Sequence, residues 1–341
     1  MSLSHIPSDW SSLNTLNPEL IELLQTLPPN FQLVTPTTTT AELRARGAAR
    51  PKSDPWPGIR ERDLYIAMRD GFQNRVRVYT GENENENGKG DYGPLLVMIY
   101  GGGFCVGRAE QEDENCRKWV RDHRGVAVSI EHRFAPEAKF PVPVEDCWDS
   151  LRWIAANARS LMADPRKGFV LGGASSGASC TMVLSHLARD ENLSPPLTGL
   201  FLSLPLPCLP SALPPPHTSD PRITSFSQCR NAPIFNHVAF SLFANSYPCD
   251  PSSPLRSPML WPSGHAGLPP TYFLIAGADP GRDYALVYEE VLRAVGVRTK
   301  VDLFPGLPHG FWAFFPKAGF TGVFREKSEE GFGWLLGGGE A

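Results

Sequence analysis

From residue 95 onward the chain alternates short apolar runs with segments of helical periodicity. The runs are LLVMIY (95–100), GVAVSI (125–130), GFVLGG (168–173), GLFLSL (199–204), TYFLIAG (271–277) and TKVDLF (299–304). Between them, VEDCWDSLRWIAANA places Val144, Cys147, Leu151, Ile154 and Ala155 on one helical face, and DYALVYEEVLRAVG (283–296) ends on Gly296, a helix C-terminal signal. Alternation of this kind argues for an α/β fold with a mostly parallel central sheet and helices on both faces.

The segment before it reads differently. Asn17 is an expected N-cap, with Pro18 at the first helical position, and Thr39-x-x-Glu42 has the form of a capping box, so two short helices are expected ahead of the sheet. RDLYIAMRDGFQNRVRVYTG (61–80) reads as two strands joined at Asp70-Gly71. GENENENGKG (81–90) lacks apolar anchors and is expected to be a mobile surface loop.

Two features of the alternating region have no structural motive. The first is Gly101-Gly102-Gly103, which directly follows the apolar run ending in Tyr100. Ordering three glycines costs backbone entropy, and two functions would repay it: backbone approaching a phosphate, or amides turned toward a developing negative charge. The dinucleotide fingerprint fails because Val106 stands where its third glycine belongs, and no phosphate-loop lysine follows. The second feature is Gly173-Ala174-Ser175-Ser176-Gly177, a G-x-S-x-G string between a strand and a helix. That spacing suits a serine held on a sharp strand-to-helix turn, where the residues two before and two after must be small.

A serine hydroxyl is a weak nucleophile until an imidazole takes its proton, and a carboxylate must orient that imidazole. Of the eight histidines, His309 in LFPGLPHGFW stands on a loop after the last expected strand, where an elbow serine would need its base. The carboxylate should follow a strand between the two. Asp279, directly after TYFLIAGA, meets this; Asp283 competes, but reads better as the first-turn acid of the next helix. The amides of Gly102, Gly103 and Ser176 then form the expected oxyanion hole, which disposes of the phosphate reading.

Composition excludes other classes. With 32 basic and 36 acidic residues the net charge is −4, which supplies no basic face for nucleic acid or an anionic membrane. The N-terminal MSLSHIPSDWSSLN has no basic start followed by an apolar stretch, and no run reaches the roughly 18 apolar residues of a membrane span. Seven scattered cysteines (Cys105, Cys116, Cys147, Cys180, Cys208, Cys229 and Cys249) match no zinc or disulfide spacing and read as reduced thiols, so a soluble, cytoplasmic protein is expected. Of 34 prolines, fifteen fall between Pro205 and Pro270, marking an insertion laid on the fold and not part of its sheet.

With these residues assembled, the chain resembles the hormone-sensitive-lipase-like group of α/β-hydrolases, which includes many carboxylesterases. The likeness covers roughly residues 60–335 and rests on YGGGF (100–104), HRFAPEAKFPVPVEDC (132–147), GASSG (173–177), SPLRSP…LPP (253–270), DPGRD (279–283) and LPHGFW (307–312), in that order. It implies an α/β-hydrolase fold with a helical cap: cap helices in 1–55, core in 56–204 and 251–341, and a proline-rich cap insertion at 205–250 that governs substrate choice. It also implies Ser175, His309 and Asp279 acting as a triad on a small ester or acyl substrate, no metal or organic cofactor, and a homodimer as a common assembly. Three positions depart from the family pattern. Tyr100 replaces the usual histidine that, with Gly101, braces the glycine loop, and Ala174 and Ser176 flank the serine where the family has a polar residue and alanine. A serine esterase is therefore the leading expectation. A biosynthetic enzyme of the same fold (acyltransferase, lactone-forming cyclase or dehydratase) is the alternative, and a receptor that reuses the pocket ranks last because His309 is retained.

Overall fold

The computed structural model describes residues 5–28, 33–51, 53–82, 92–215 and 217–337. The loop expected at 81–90 lies almost wholly outside them. Both N-terminal helices form where their caps stand. Asn17 accepts the Glu19 and Leu20 amides ahead of α1 (Pro18–Gln25), and Thr39 and Glu42 exchange reciprocal bonds at the start of α2 (Thr40–Ala48). A hairpin of β1 (Ile59–Ala67) and β2 (Gln73–Gly81) turns at Gly71, whose φ of +85° favours glycine.

The alternating region then runs β3 (Leu95–Ile99), α3 (Asp113–His123), β4 (Val126–Ile130), α4 (Val142–Ala156), β5 (Phe169–Ala174), α5 (Ser176–Asp190) and β6 (Gly199–Ser203). After the proline-rich segment, where the described residues form the short α6 (Ser225–Gln228) and α7 (His237–Ser246) and three 3-10 turns, it resumes with β7 (Thr271–Ala278), α8 (Arg282–Ala294), β8 (Thr299–Pro308), α9 (Phe311–Phe314) and α10 (Gly319–Leu335). The described strands make one sheet in the order β1-β2-β4-β3-β5-β6-β7-β8, antiparallel at β1-β2 and β2-β4 and parallel thereafter.

Residues alternating along the central strands face two cores. Val97, Ile99, Leu171, Leu202 and Phe273 meet α4, α5 and α8; Leu96, Met98, Val170 and Phe201 meet α3 and α10. With both faces covered, the strands carry the near-continuous apolar runs that made them legible. Within the stretch expected to form the cap, Trp10, Leu13 and Leu20 are buried against the body of the fold, and Leu33, Val34 and α2 reach the cleft. No helix among the described residues is long and apolar enough to cross a membrane.

This topology decides where a site can form. The chain leaves β3 toward β4 on one side, then returns to β5 on the other, so the loops after β3 and β5 diverge and leave a crevice at the carboxyl ends of the strands. The triple glycine and Ser175 are those two loops.

Candidate active site

β5 delivers Ser175 into a backbone conformation that side chains seldom adopt, φ 56° and ψ −120°, and α5 begins at the next residue. The turn is tight enough to dictate its neighbours. A Cβ on Gly173 would stand 2.5 Å from the Gly177 carbonyl carbon, and one on Gly177 would collide with the Ile99 carbonyl oxygen. The spacing of G-x-S-x-G thus reflects sterics on both sides of the serine. The Ser175 amide donates to the Ser203 carbonyl at 2.8 Å, tying the turn to β6.

His309 follows β8 and Asp279 follows β7, so both reach the crevice from neighbouring strand ends. His309 Nε2 lies 2.8 Å from Ser175 Oγ, and His309 Nδ1 lies 2.6 Å from Asp279 Oδ2. Asp279 Oδ1 accepts the Gly281 amide at 2.8 Å, which holds the carboxylate in plane for the imidazole. A carboxylate can only accept, so Nδ1 carries the proton and Nε2 keeps a free lone pair toward the serine hydroxyl. The carboxylate side chain is 5% exposed and the imidazole 15%, so the relay is shielded at its base and open at its tip.

Asp283 takes no part in this relay. It is fully buried in α8, paired with Arg282 at 2.6 Å, and accepts the amides of Thr224 and Ser225 at 2.8 and 2.7 Å. Arg282 in turn donates to the Gly277 carbonyl and to Gln228 Oε1. Asp283 therefore staples α6 to the core. Asp283→Ala would leave a buried guanidinium without its counter-ion and two amides without an acceptor, and is expected to destabilise the protein by about 3–5 kcal/mol, read by urea denaturation.

Three of the other histidines are held in the interior. His186 and His265 bond each other at 2.9 Å in the core, with His186 Nδ1 on the Met182 carbonyl; burial pushes His186 down to about 3. His132 is buried beneath Tyr100, and desolvation lowers its pKa.

Each glycine of the loop answers to a separate contact. A Cβ on Gly101 would stand 2.8 Å from the Ala174 carbonyl oxygen; Gly102, at φ +150°, has the Val106 carbonyl where its Cβ would be; Gly103, at φ +62°, lies under the Phe243 ring, whose Cγ would be 2.5 Å from a Cβ. The amides of Gly103 and Ser176 have no hydrogen-bond partner among the described residues. The Gly102 amide differs from expectation: it donates to Ser176 Oγ at 3.1 Å. The family's alanine has no hydroxyl to offer there, so this bond is a consequence of the altered elbow.

Tyr100 braces the loop by packing. Its ring stacks on His132 with centroids 5.0 Å apart and fills the space a Cβ on Gly107 would need. Its buried hydroxyl has no hydrogen bond among the described residues, so the bracing comes from the ring.

Ser175, His309 and the glycine loop open into a cleft of about 1080 Å³. Its roof is aromatic: Phe243 covers Gly103, Phe240 lies beside Phe235, and the Phe235 ring sits 4.7 Å from the His309 imidazole. Sequence reading missed these residues. They come from a proline-rich segment without apolar periodicity, whose proline density marked an insertion but did not show which of its side chains would meet the site.

A family model described as the alpha/beta hydrolase fold matches residues 96–313, which span every residue of the relay and the glycine loop. The chain is an α/β hydrolase. Among curated relatives of this family, an AB hydrolase superfamily protein of Schizosaccharomyces pombe is 37% identical over 275 residues, covering 80% of this chain and 79% of its own. The versiconal hemiacetal acetate esterase of Dothistroma septosporum is 32% identical over 250 residues, covering 73% and 76%. Among solved structures of α/β hydrolases, vibralactone cyclase superposes with a TM-score of 0.88 at 31% identity, over 99% of this chain and 98% of its own. The resemblance read from the motifs therefore holds for the family and the fold.

Proposed function

We propose that this α/β hydrolase is a serine esterase that works through an acyl-enzyme. The observation that carries the reading is the unbroken relay from Ser175 Oγ through His309 to Asp279 beneath an open cleft. His309 Nε2 takes the Ser175 proton as the hydroxyl attacks the ester carbonyl, and Asp279 stabilises the imidazolium so formed. The carbonyl oxygen becomes negative and meets the unpartnered amides of Gly103 and Ser176. Ser176 Oγ, which accepts from Gly102, keeps its own proton and can donate it to the same oxyanion. His309 then protonates the leaving alcohol, and water, activated by the same imidazole, releases the acid.

The phenylalanine roof suits an apolar acyl chain. With p-nitrophenyl esters near pH 8, kcat/KM is expected to rise by at most about fourfold per added methylene from acetate toward hexanoate, the limit set by roughly 0.8 kcal/mol per buried CH₂. A folded protein that labels with a fluorophosphonate yet hydrolyses none of these esters would instead favour the second reading.

That second reading is acyl transfer to an internal nucleophile, and the full-length likeness to vibralactone cyclase supports it. The acyl-enzyme would be the same; a substrate hydroxyl or carbon in place of water would close a ring. Mass spectrometry of the products separates the two, since hydrolysis adds the mass of water to the acyl product and cyclisation does not.

A further inference from the structure

One wall of the cleft carries a cation with no anion beside it. Arg256 lines the cleft, and its surroundings are the thiols of Cys249 and Cys208 and the phenol of Tyr247, with no carboxylate in ion-pair contact among the described residues. Burial pushes its guanidinium pKa down, the sign of a charge removed from water without compensation. Tyr247 adds a second donor without an acceptor: its hydroxyl is fully buried and has no hydrogen bond among the described residues. The place is close to the chemistry. The Tyr247 ring packs on Phe104 at 4.9 Å, and Cys105, which feels the Arg256 charge, donates its thiol to the Gly103 carbonyl at 3.2 Å.

The mouth has the same sign. Arg46, Arg50 and Arg108 line the cleft, and their contacts are the Leu33 carbonyl, the Phe314 ring and the Arg50 carbonyl respectively, with no carboxylate among the described residues. Of the acids along this stretch, Glu110 is paired with Arg75 and Glu114 with Lys118 and Arg325, while Glu112 accepts from the neutral Asn115 amide and burial raises its pKa to about 7. With Asp279 held against His309, a chain of net charge −4 thus presents an excess of positive charge along its cleft.

We propose that the cleft accepts esters bearing a carboxylate, with Arg256 binding the anion beside the glycine loop and Arg46, Arg50 and Arg108 attracting it at the mouth. This rests on the serine-esterase reading above and adds the substrate's charge to it. A planar guanidinium can hold a carboxylate through two parallel hydrogen bonds, so binding fixes the substrate's orientation as well as its affinity.

The test pairs esters matched in shape and opposed in charge: p-nitrophenyl hemiglutarate against p-nitrophenyl pentanoate for a charge on the acyl side, and 4-acetoxybenzoate against its methyl ester for a charge on the alcohol side. Arg256→Met is expected to lower kcat/KM by about 100-fold for the charged member of one pair, and by no more than about threefold for its neutral partner. Arg256→Lys should recover part of that loss, because it restores the charge without the fork. Equal losses on charged and neutral esters, or a wild type that disfavours the charged member of both pairs, would overturn the proposal. Calorimetric titration of Ser175→Ala with monomethyl glutarate reads the anion site without turnover. Binding that weakens at least tenfold in Ser175→Ala/Arg256→Met supports the site even if no ester is hydrolysed; equal binding to both proteins overturns it, whatever the fate of the esterase reading.

Discussion

Ser175→Ala is expected to lower kcat on p-nitrophenyl butyrate by about 10⁵–10⁶-fold, with KM changed by only a few-fold. The size follows from what is lost. Without the hydroxyl there is no acyl-enzyme, and the imidazole and carboxylate have no proton to relay, so removing the nucleophile costs nearly as much as removing the whole relay. The rest of the site remains, and amides that bind the oxyanion still accelerate attack by water, which keeps the variant some 10³–10⁴-fold above the uncatalysed rate. Folding is controlled internally, because alanine meets the same φ of 56° that serine occupies and the backbone bonds to Ser203 and Ser179 involve no side chain. The variant should therefore melt near the wild-type temperature. A variant that keeps more than a tenth of wild-type kcat would remove the nucleophile from the mechanism, and Ser176, whose hydroxyl lies on Gly102, would be the next residue to test.

The positions that could be read from the sequence share a physical cause. Ser175, Asp279 and His309 each directly follow a strand, and an apolar run marked each of those strands; for His309 the strand continues to Pro308, four residues past the run at 299–304. Their meeting is non-local, with Ser175 and His309 134 residues apart, yet a parallel sheet brings its strand ends together by construction. The short helices that begin after Asn17 and Thr39 were legible for the opposite reason, since a capping bond spans only two or three residues.

What escaped notice depends on side chains that meet across loops. The Gly102 amide and Ser176 Oγ are 74 residues apart, and nothing in either motif announces that a serine after the nucleophile will reach back to the glycine loop. Phe235 and Phe243 sit in a segment where prolines interrupt any periodicity, so their placement over His309 and Gly103 is a tertiary fact. Arg256 was quoted only as part of a motif. The role proposed for it rests on there being no carboxylate in ion-pair contact with it among the described residues, and an absence of that kind is visible only when the chain is folded.

Asp279→Asn separates the two adjacent acids more sharply than any other substitution, with kcat expected to fall about 10⁴-fold. Oδ1 of Asp279 accepts the Gly281 amide at 2.8 Å, so the oxygen of the introduced amide is held on that side and its NH₂ group is turned toward His309 Nδ1. An NH₂ group donates, hence Nδ1 must become the acceptor and the ring proton moves to Nε2. An imidazole protonated at Nε2 cannot take the proton of Ser175, although every heavy atom has stayed in place. KM should change little, and thermal stability should fall far less than in Asp283→Ala, because no buried cation is left without its partner. Asp283→Asn gives the complementary result: some loss of stability through Arg282, with kcat within a few-fold for the protein that remains folded. If the two outcomes came out reversed, the orienting carboxylate would be Asp283, reached only by a rearrangement of α8 that unpicks its bonds to Thr224 and Ser225.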